Sequence, residues 1–311
     1  MHSSRSTNFL LAVFFVLLWN SGFIAAEYVL PKAGPLTLLF WRYWSLALLL
    51  FVYLVLVGRF SWPGRKPAGI AALVGILAHG CWLGFVLYAI DQGVPAGIVA
   101  LVVALQPLLT GILSGRAVGE PPSLGTWIGL VLGFAGVGIA VGGRTAFSGE
   151  GALIAHLLPF GSVVAITVAS LIQRKLALAG ERTELPVDLG LLYQSAGTAL
   201  AVSVPALFFE GLATTTDAGF FAGMAWLVVA VSFASYALMW ILIRRISATA
   251  VASLFYLGPP VTMLMAWIAF GDRMLPGDWL GTGIVLVGVL LAQRAPRRTP
   301  VEPGPEPATE P

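Results

Sequence analysis

Few side chains in this sequence can do chemistry, and they are spaced like residues on helix faces. His79 and Trp82 stand three apart inside an apolar run, so an imidazole and an indole project together. An ionisable ring at that depth is a functional candidate by default; the alternative is a neutral histidine bonded to a neighbouring carbonyl. Ser232, Ser235 and Tyr236 share a face in a later run, and Ser253 and Tyr256 share one in the next. Such hydroxyls also serve as glue between helices. Trp19, Asn20 and Ser21 lie together in the first run, with Asn20 the best amide candidate there, and Ser162 adds a hydroxyl. Gln106-Pro107 and Gly258-Pro259 put a proline inside an apolar run, where it removes a hydrogen bond and bends a helix. Pro107 and Pro259 are then either bends that line a cavity or kinks that serve packing. Glu27 and Arg42 are the charged groups at the edges of the first two runs, and they are expected to pair, as a clamp between two helices or as a gate.

Groups of these kinds are suited to binding a small polar molecule and not to attacking one. No nucleophile with a neighbouring base is present, so no residue is assigned a catalytic role. Cys81 is the one cysteine, and His2, His79 and His156 are the histidines, so no metal site is expected. No Gly-x4-Gly-Lys-Ser/Thr phosphate loop occurs, and no cofactor is expected.

The elements that must carry these residues lie in lipid. Of the 311 residues, 58% are hydrophobic and 10% charged, and the mean hydropathy is +0.92. A soluble domain has about 25% charged residues. Runs long enough to cross a bilayer core fall at 9–29, 35–57, 69–90, 96–113, 125–141, 152–172, 187–209, 220–242, 248–270 and 278–291. The first 30 residues also have the outline of a signal peptide, with Arg5 ahead of an apolar stretch. Because that stretch continues to Leu30 and many like it follow, it reads as the first span. The net charge of +3 fits basic cytoplasmic loops, and no nucleic-acid partner is expected. Numbering the loops alternately, one side carries Arg5, Arg59, Arg65, Lys66, Arg116, Arg174, Lys175, Arg182, Arg244, Arg245, Arg294, Arg297 and Arg298. The other carries Lys32, Arg144 and Arg273. The positive-inside rule puts both termini in the cytoplasm.

The chain is duplicated. At a constant offset of 152 residues, Ala96, Val99, Ala100, Leu105, Pro107, Thr110, Gly119, Trp127, Gly129, Gly136 and Val137 recur as Ala248, Val251, Ala252, Leu257, Pro259, Thr262, Gly271, Trp279, Gly281, Gly288 and Val289. Chance gives about two or three identities over roughly forty residues. Five spans per half is odd, so the second half enters the membrane inverted. The predicted fold is all-α and integral to the membrane, with ten transmembrane helices in two inverted five-helix repeats. The expected divisions are a cytoplasmic N-terminus (1–8), repeats at 9–145 and 146–295, and a disordered tail (296–311) rich in Pro and Glu. Glycine rows at Gly125, Gly129 and Gly133, and at Gly277 and Gly281, suit close helix packing between spans five and ten.

The sequence resembles the EamA-type members of the drug/metabolite transporter superfamily. The likeness rests on Trp19-Asn-Ser-Gly-Phe23, Phe40-Trp-Arg42, Ala100-Leu-Val-Val-Ala-Leu-Gln-Pro107, Gly119-Glu120, Trp127-Ile-Gly129 and Gly136 in the first half. Gln194, Gly258-Pro259-Pro260 and Trp279-Leu-Gly281 carry it in the second, where Asp272 stands in place of the usual Glu. The resemblance implies a multi-pass protein of the cytoplasmic (inner) membrane that exports small metabolites such as amino acids, with spans one, three, four, six, eight and nine around a central cavity. Its partners would be a small-molecule substrate and the lipid bilayer, as a monomer or homodimer. Export of another metabolite or drug, such as a nucleoside or an amine, is the alternative, and a membrane sensor or scaffold is a remote one. No carboxylate lies mid-span, which disfavours exchange of cationic drugs for protons.

Overall fold

A computed structural model describes residues 2–118, 122–145, 152–178, 185–246, 251 and 254–294. Outside them lie Ser253, the Gly119-Glu120 turn, the start of the ninth expected run, the expected junction at 145/146 and the tail 296–311. Among the described residues the chain is helical, and the only strand-like pairing is a single bridge between Ala33 and Thr214.

Helix α1 (His2–Val29) continues through a 3-10 turn (Leu30–Lys32) to α2 (Pro35–Leu56). The helix therefore begins well ahead of residue 9, because the polar Ser and Thr that precede the apolar run extend it. Helix α3 (Arg65–Gly75) runs through a π-helical segment (Ile76–Cys81) into α4 (Trp82–Asp91). Then come α5 (Ala96–Val103), α6 (Gln106–Val118), α7 (Leu124–Thr145), α8 (Ala152–Leu178) and α9 (Val187–Glu210). Helix α10 (Ala218–Ala225) passes through a second π segment (Trp226–Ala234) into α11 (Ser235–Arg245). A 3-10 turn (Phe255–Leu257) leads into α12 (Gly258–Phe270), and α13 (Pro276–Arg294) follows.

Eight helices of the described residues are long and apolar enough to cross a membrane, and Phe255–Phe270 and Pro276–Leu291 are shorter apolar helices. The outer surface suits lipid: Leu56, Phe208 and Phe209 are each about four-fifths exposed.

The helix ends follow local chemistry. Pro35 and Pro276 open helices where a missing N–H costs nothing. Gly211 and Gly271 close α9 and α12 in the left-handed conformation (φ 61° and 74°). Glu210 caps the start of α2 from another helix: the N–H groups of Leu36 and Thr37 donate to its carboxylate at 3.0 and 2.7 Å. A Cβ on Gly34 would stand 2.6 Å from that carboxylate, so only glycine leaves it room. Beside it Lys32 pairs with Asp217, holding that carboxyl below its usual range, and Asp217 accepts the first free N–H of α10 from Phe220. Trp41 donates to Thr214 at 3.2 Å, and the Thr215 N–H donates to the Lys32 carbonyl at 2.8 Å. These contacts clasp the α1–α2 turn to the α9–α10 turn.

The duplicated positions meet in the packing. A Cβ on Gly136 would press on the carbonyl oxygen of Gly281, one on Gly281 on that of Gly136, and one on Gly288 on that of Gly129 (2.7 Å). Helices α7 and α13 are therefore antiparallel, in backbone contact, and the pairs 129/288 and 136/281 exchange under the offset of 152. Gly277 approaches the Ile139 carbonyl at 3.4 Å, whereas Gly133 turns away toward Leu105 and Leu108, and Gly125 lies in the first turn of α7.

Gly136→Ala is expected to lower the melting temperature of the detergent-solubilised protein, by an overpacking cost of about 1–3 kcal/mol. Gly138→Ala, on the same helix with nothing within 4 Å of its Cβ, is expected to leave it unchanged or raised. Equal melting of the two variants would contradict the backbone contact.

Candidate functional site

Four irregular stretches of backbone surround one cavity. Pro107 has no N–H and clashes with a helical carbonyl four residues back, so the helix does not bend gently at it. It breaks: α5 stops at Val103, Leu105 donates to Val102 in a tight turn, and α6 restarts at Gln106. In the second half the tight turn Phe255–Leu257 precedes Gly258-Pro259. These residues are 103–105 moved by 152, so both prolines act on the same backbone step. The π segments also correspond, since 76–81 shifted by 152 falls within Trp226–Ala234. Ser232 and Ser235 donate to carbonyls five residues back, Leu227 at 2.8 Å and Ala230 at 3.2 Å, as the wider π turn allows.

The cavity has a volume of about 710 Å³. Trp19, Asn20, His79, Trp82, Gln106, Pro107, Tyr236, Tyr256 and Pro259 line it. Ser162 and Ser235 do not, although they were expected to. Each is fully buried and satisfied by its own helix, Ser162 donating to Pro159 at 2.6 Å. The sequence reading also missed α9, which contributes Val187, Gly190, Leu191 and Gln194, and it missed Ser170 and Gln173 on α8. Gln194 was singled out in the sequence only for the family resemblance, not as a cavity residue. Among the described residues none of those lining it is Asp, Glu, Lys or Arg, and α7 and α13 contribute none. The lining extends to Ile70, Leu176, Leu185 and Val187, the end of the bundle where Arg65, Lys66, Arg174 and Lys175 lie in sequence.

His79 is held from the opposite helix. Its Nε2 lies 3.1 Å from Gln194 Oε1, within hydrogen-bond distance. The pair is possible because α3 and α9 touch: a Cβ on Gly75 would collide with the Gln194 backbone, and one on Gly197 would stand 2.6 Å from Ala72. The Tyr43 ring flanks His79 at 5.4 Å and the Tyr236 ring at 6.5 Å. Asn20 ties α1 to α12: its Nδ2 donates to Val16 at 2.7 Å, and Thr262 donates to its Oδ1 at 3.1 Å. Gln106 donates to Thr110 at 3.3 Å and approaches Ser170 at 3.5 Å. Trp19 stacks edge to face with Phe255 and lies 5.5 Å from Tyr236. Trp82 and Trp240 line the cavity, and the indole Nε1 of each is buried without a hydrogen-bond partner.

The expected pair of Glu27 and Arg42 does not form. Arg42 donates from Nε and Nη2 to Ser232 Oγ at 3.1 and 2.9 Å, while Glu27 Oε2 is buried without a partner. Similar depth along two helices brought them together in the sequence reading, but rotation about the helix axes keeps them apart.

The sequence model of the EamA-like transporter family matches this chain twice, over residues 7–142 and 153–293. An uncharacterized inner membrane transporter of Escherichia coli (strain K12), YedA, is 26% identical over 289 residues, covering 92% of this chain and 90% of its own. A probable amino-acid metabolite efflux pump of the same organism is 22% identical over 289 residues, covering 90% and 93%. A solved crystal structure shares the fold, with a TM-score of 0.63 at 18% identity over 92% of this chain and 97% of that one.

In a Cys81→Ala background, cysteines at Ser170 and Gln173 are expected to react with a membrane-impermeant maleimide, and cysteines at Ser162 and Ser235 are not. Labelling of all four, or of the second pair alone, would contradict the position of the cavity.

Proposed function

The chain belongs to the EamA-like transporter family of the drug/metabolite transporter superfamily, and from that premise we propose that it exports small zwitterionic metabolites, amino acids foremost, across the inner membrane. The observation that carries this reading is the composition of the cavity wall. Amide, hydroxyl, imidazole and indole groups supply hydrogen bonds, aromatic rings supply apolar contact, and no charged side chain lines it among the described residues. A zwitterion's two charges nearly cancel at a distance but want partners close by. A volume near 710 Å³ lies within the usual range for small-molecule sites, about 300–1,000 Å³.

Alternating access between two inverted five-helix halves is the proposed mechanism. It is supported by the antiparallel α7–α13 contact, whose glycine pairs exchange under the repeat, and by the matching backbone breaks. The cavity reaches the basic end of the bundle, which the positive-inside rule assigns to the cytoplasm, and the Glu210 clasp lies at the opposite end. This is an inward-open arrangement with both termini in the cytoplasm. With no carboxylate among the described residues of the wall to hold a proton, transport follows the substrate gradient or couples to protons only weakly through His79.

Counterflow of radiolabelled amino acids into proteoliposomes tests this. His79→Ala and Gln106→Ala are each expected to reduce flux by about tenfold, equivalent to about 1.4 kcal/mol. If both transport like the parent from about pH 5.5 to 8, the assigned site is wrong. Flux of nucleosides or amines, with none of amino acids, would favour the second substrate class.

A further inference from the structure

Arg42 has no ionic partner. Its side chain is 7% exposed, and among the described residues no carboxylate pairs with it. Among the described residues its hydrogen-bond acceptor is Ser232 Oγ, which takes the Nε and Nη2 donors and gives its own proton to the Leu227 carbonyl, and the guanidinium lies 5.8 Å from the Tyr43 ring centroid. A guanidinium has more N–H donors than one hydroxyl can take, and it stays charged. Burying such a charge in a helix bundle without an anion is costly, and the cost is offset only when one is supplied.

Where the anion would come from follows from position. Arg42 lines a small second cavity of about 50 Å³ that adjoins the central one. Trp19, Phe23, His79, Trp82, Leu191 and Tyr236 are common to both. The second cavity also takes in Tyr43, Leu46, Leu83 and Val86 and adjoins the central one on the side away from the basic end. Trp82, at the junction, has the buried indole N–H without a partner. Arg42 and Trp82 therefore line the same pocket, and among the described residues neither donor is matched by a carboxylate.

We propose that this pocket is an anion subsite, in which Arg42 and Trp82 Nε1 take the carboxylate of the transported molecule while its remainder lies in the central cavity. The assignment rests on the transport reading above and narrows it to substrates with a free carboxylate, excluding their amides and decarboxylated amines. A planar carboxylate matches the fork of a guanidinium. Ser232 keeps the fork in place from the π segment, so the positioning residue belongs to the second half of the chain and Arg42 to the first.

The test uses the full chain, purified, with each common amino acid and its carboxamide as probes, read both by melting shift in detergent and by flux in proteoliposomes. A ligand that binds only the folded protein raises its melting temperature. For the parent, at least one acid is expected to raise melting while its amide does not. In Arg42→Gln that preference disappears, with flux of the acid falling by about tenfold or more. Should Arg42→Gln fail to fold, Arg42→Lys and Ser232→Ala serve instead. Ser232→Ala, which frees the fork, and Arg42→Lys, which lacks it, are each expected to weaken the preference for acids while keeping the charge. Equal shifts for acids and amides in the parent, or a preference that survives loss of the guanidinium, would overturn the subsite. Absence of flux for every compound would instead overturn the transport reading, with the melting shifts still deciding the role of Arg42.

Discussion

Lipid has no hydrogen bonds to offer, and that one condition decides where this backbone is allowed to depart from a regular helix. Every N–H and C=O at membrane depth must find a partner inside the protein, so irregular segments survive only when packed in protein or facing a cavity. The π turns at Ile76–Cys81 and Trp226–Ala234, the break after Val103 and the 3-10 turn Phe255–Leu257 all obey it. Each contributes residues to, or directly precedes residues in, the central cavity: Ala78 and His79, Gln106 and Pro107, Tyr236, Phe255 and Tyr256. The regular helices α7 and α13 contribute none.

Glycine provides the second layer of control. Apolar side chains gain little by associating in a solvent that is itself apolar, so close packing and hydrogen bonds hold the bundle together. Gly75 and Gly197 bring α3 onto α9, and the two backbones then fix the histidine opposite the glutamine. Gly258 leaves 3.1 Å between its would-be Cβ and the Asn20 amide oxygen, which also accepts from Thr262. At the clasp, Gly34 gives way to a carboxylate that serves three donors, two from α2 and the more distant Tyr88 hydroxyl at 3.4 Å. In each case the missing side chain allows a polar contact between elements far apart in sequence.

Much of this was legible in the residues. The duplication, the two prolines and the cluster of Trp19, Asn20, His79, Trp82, Gln106, Tyr236 and Tyr256 follow from spacing and hydropathy, because period and polarity are what a helix in lipid displays. Three features were hidden for physical reasons. A π turn shifts a hydrogen-bond register by one residue and leaves no compositional mark, so its recurrence at the same offset appears only in coordinates. Ser162 and Ser235 looked available, but a serine in a helix always has a carbonyl of its own helix within reach, and both use it. Arg42 was assigned to Glu27 by depth alone. Depth is readable from sequence, whereas the direction a side chain takes around the bundle depends on how helices rotate against one another.

The seam between α7 and α13 has a mechanical meaning. Interfaces built of side chains can slide, since rotamers repack as one helix moves past another. Here carbonyl oxygens stand against glycine Cα atoms, and no deformable layer separates the two backbones. Translation along the seam would drive one peptide plane into another, so α7 and α13 form a rigid keel. Under the alternating-access mechanism proposed above, a change in which end of the cavity is open would fall to the other helices, whose π turns and breaks interrupt the regular backbone. The keel is therefore the natural stationary frame against which displacements elsewhere in the molecule are measured, and its half-exposed Ile128 and Leu280 are points where a reporter sits outside the moving parts.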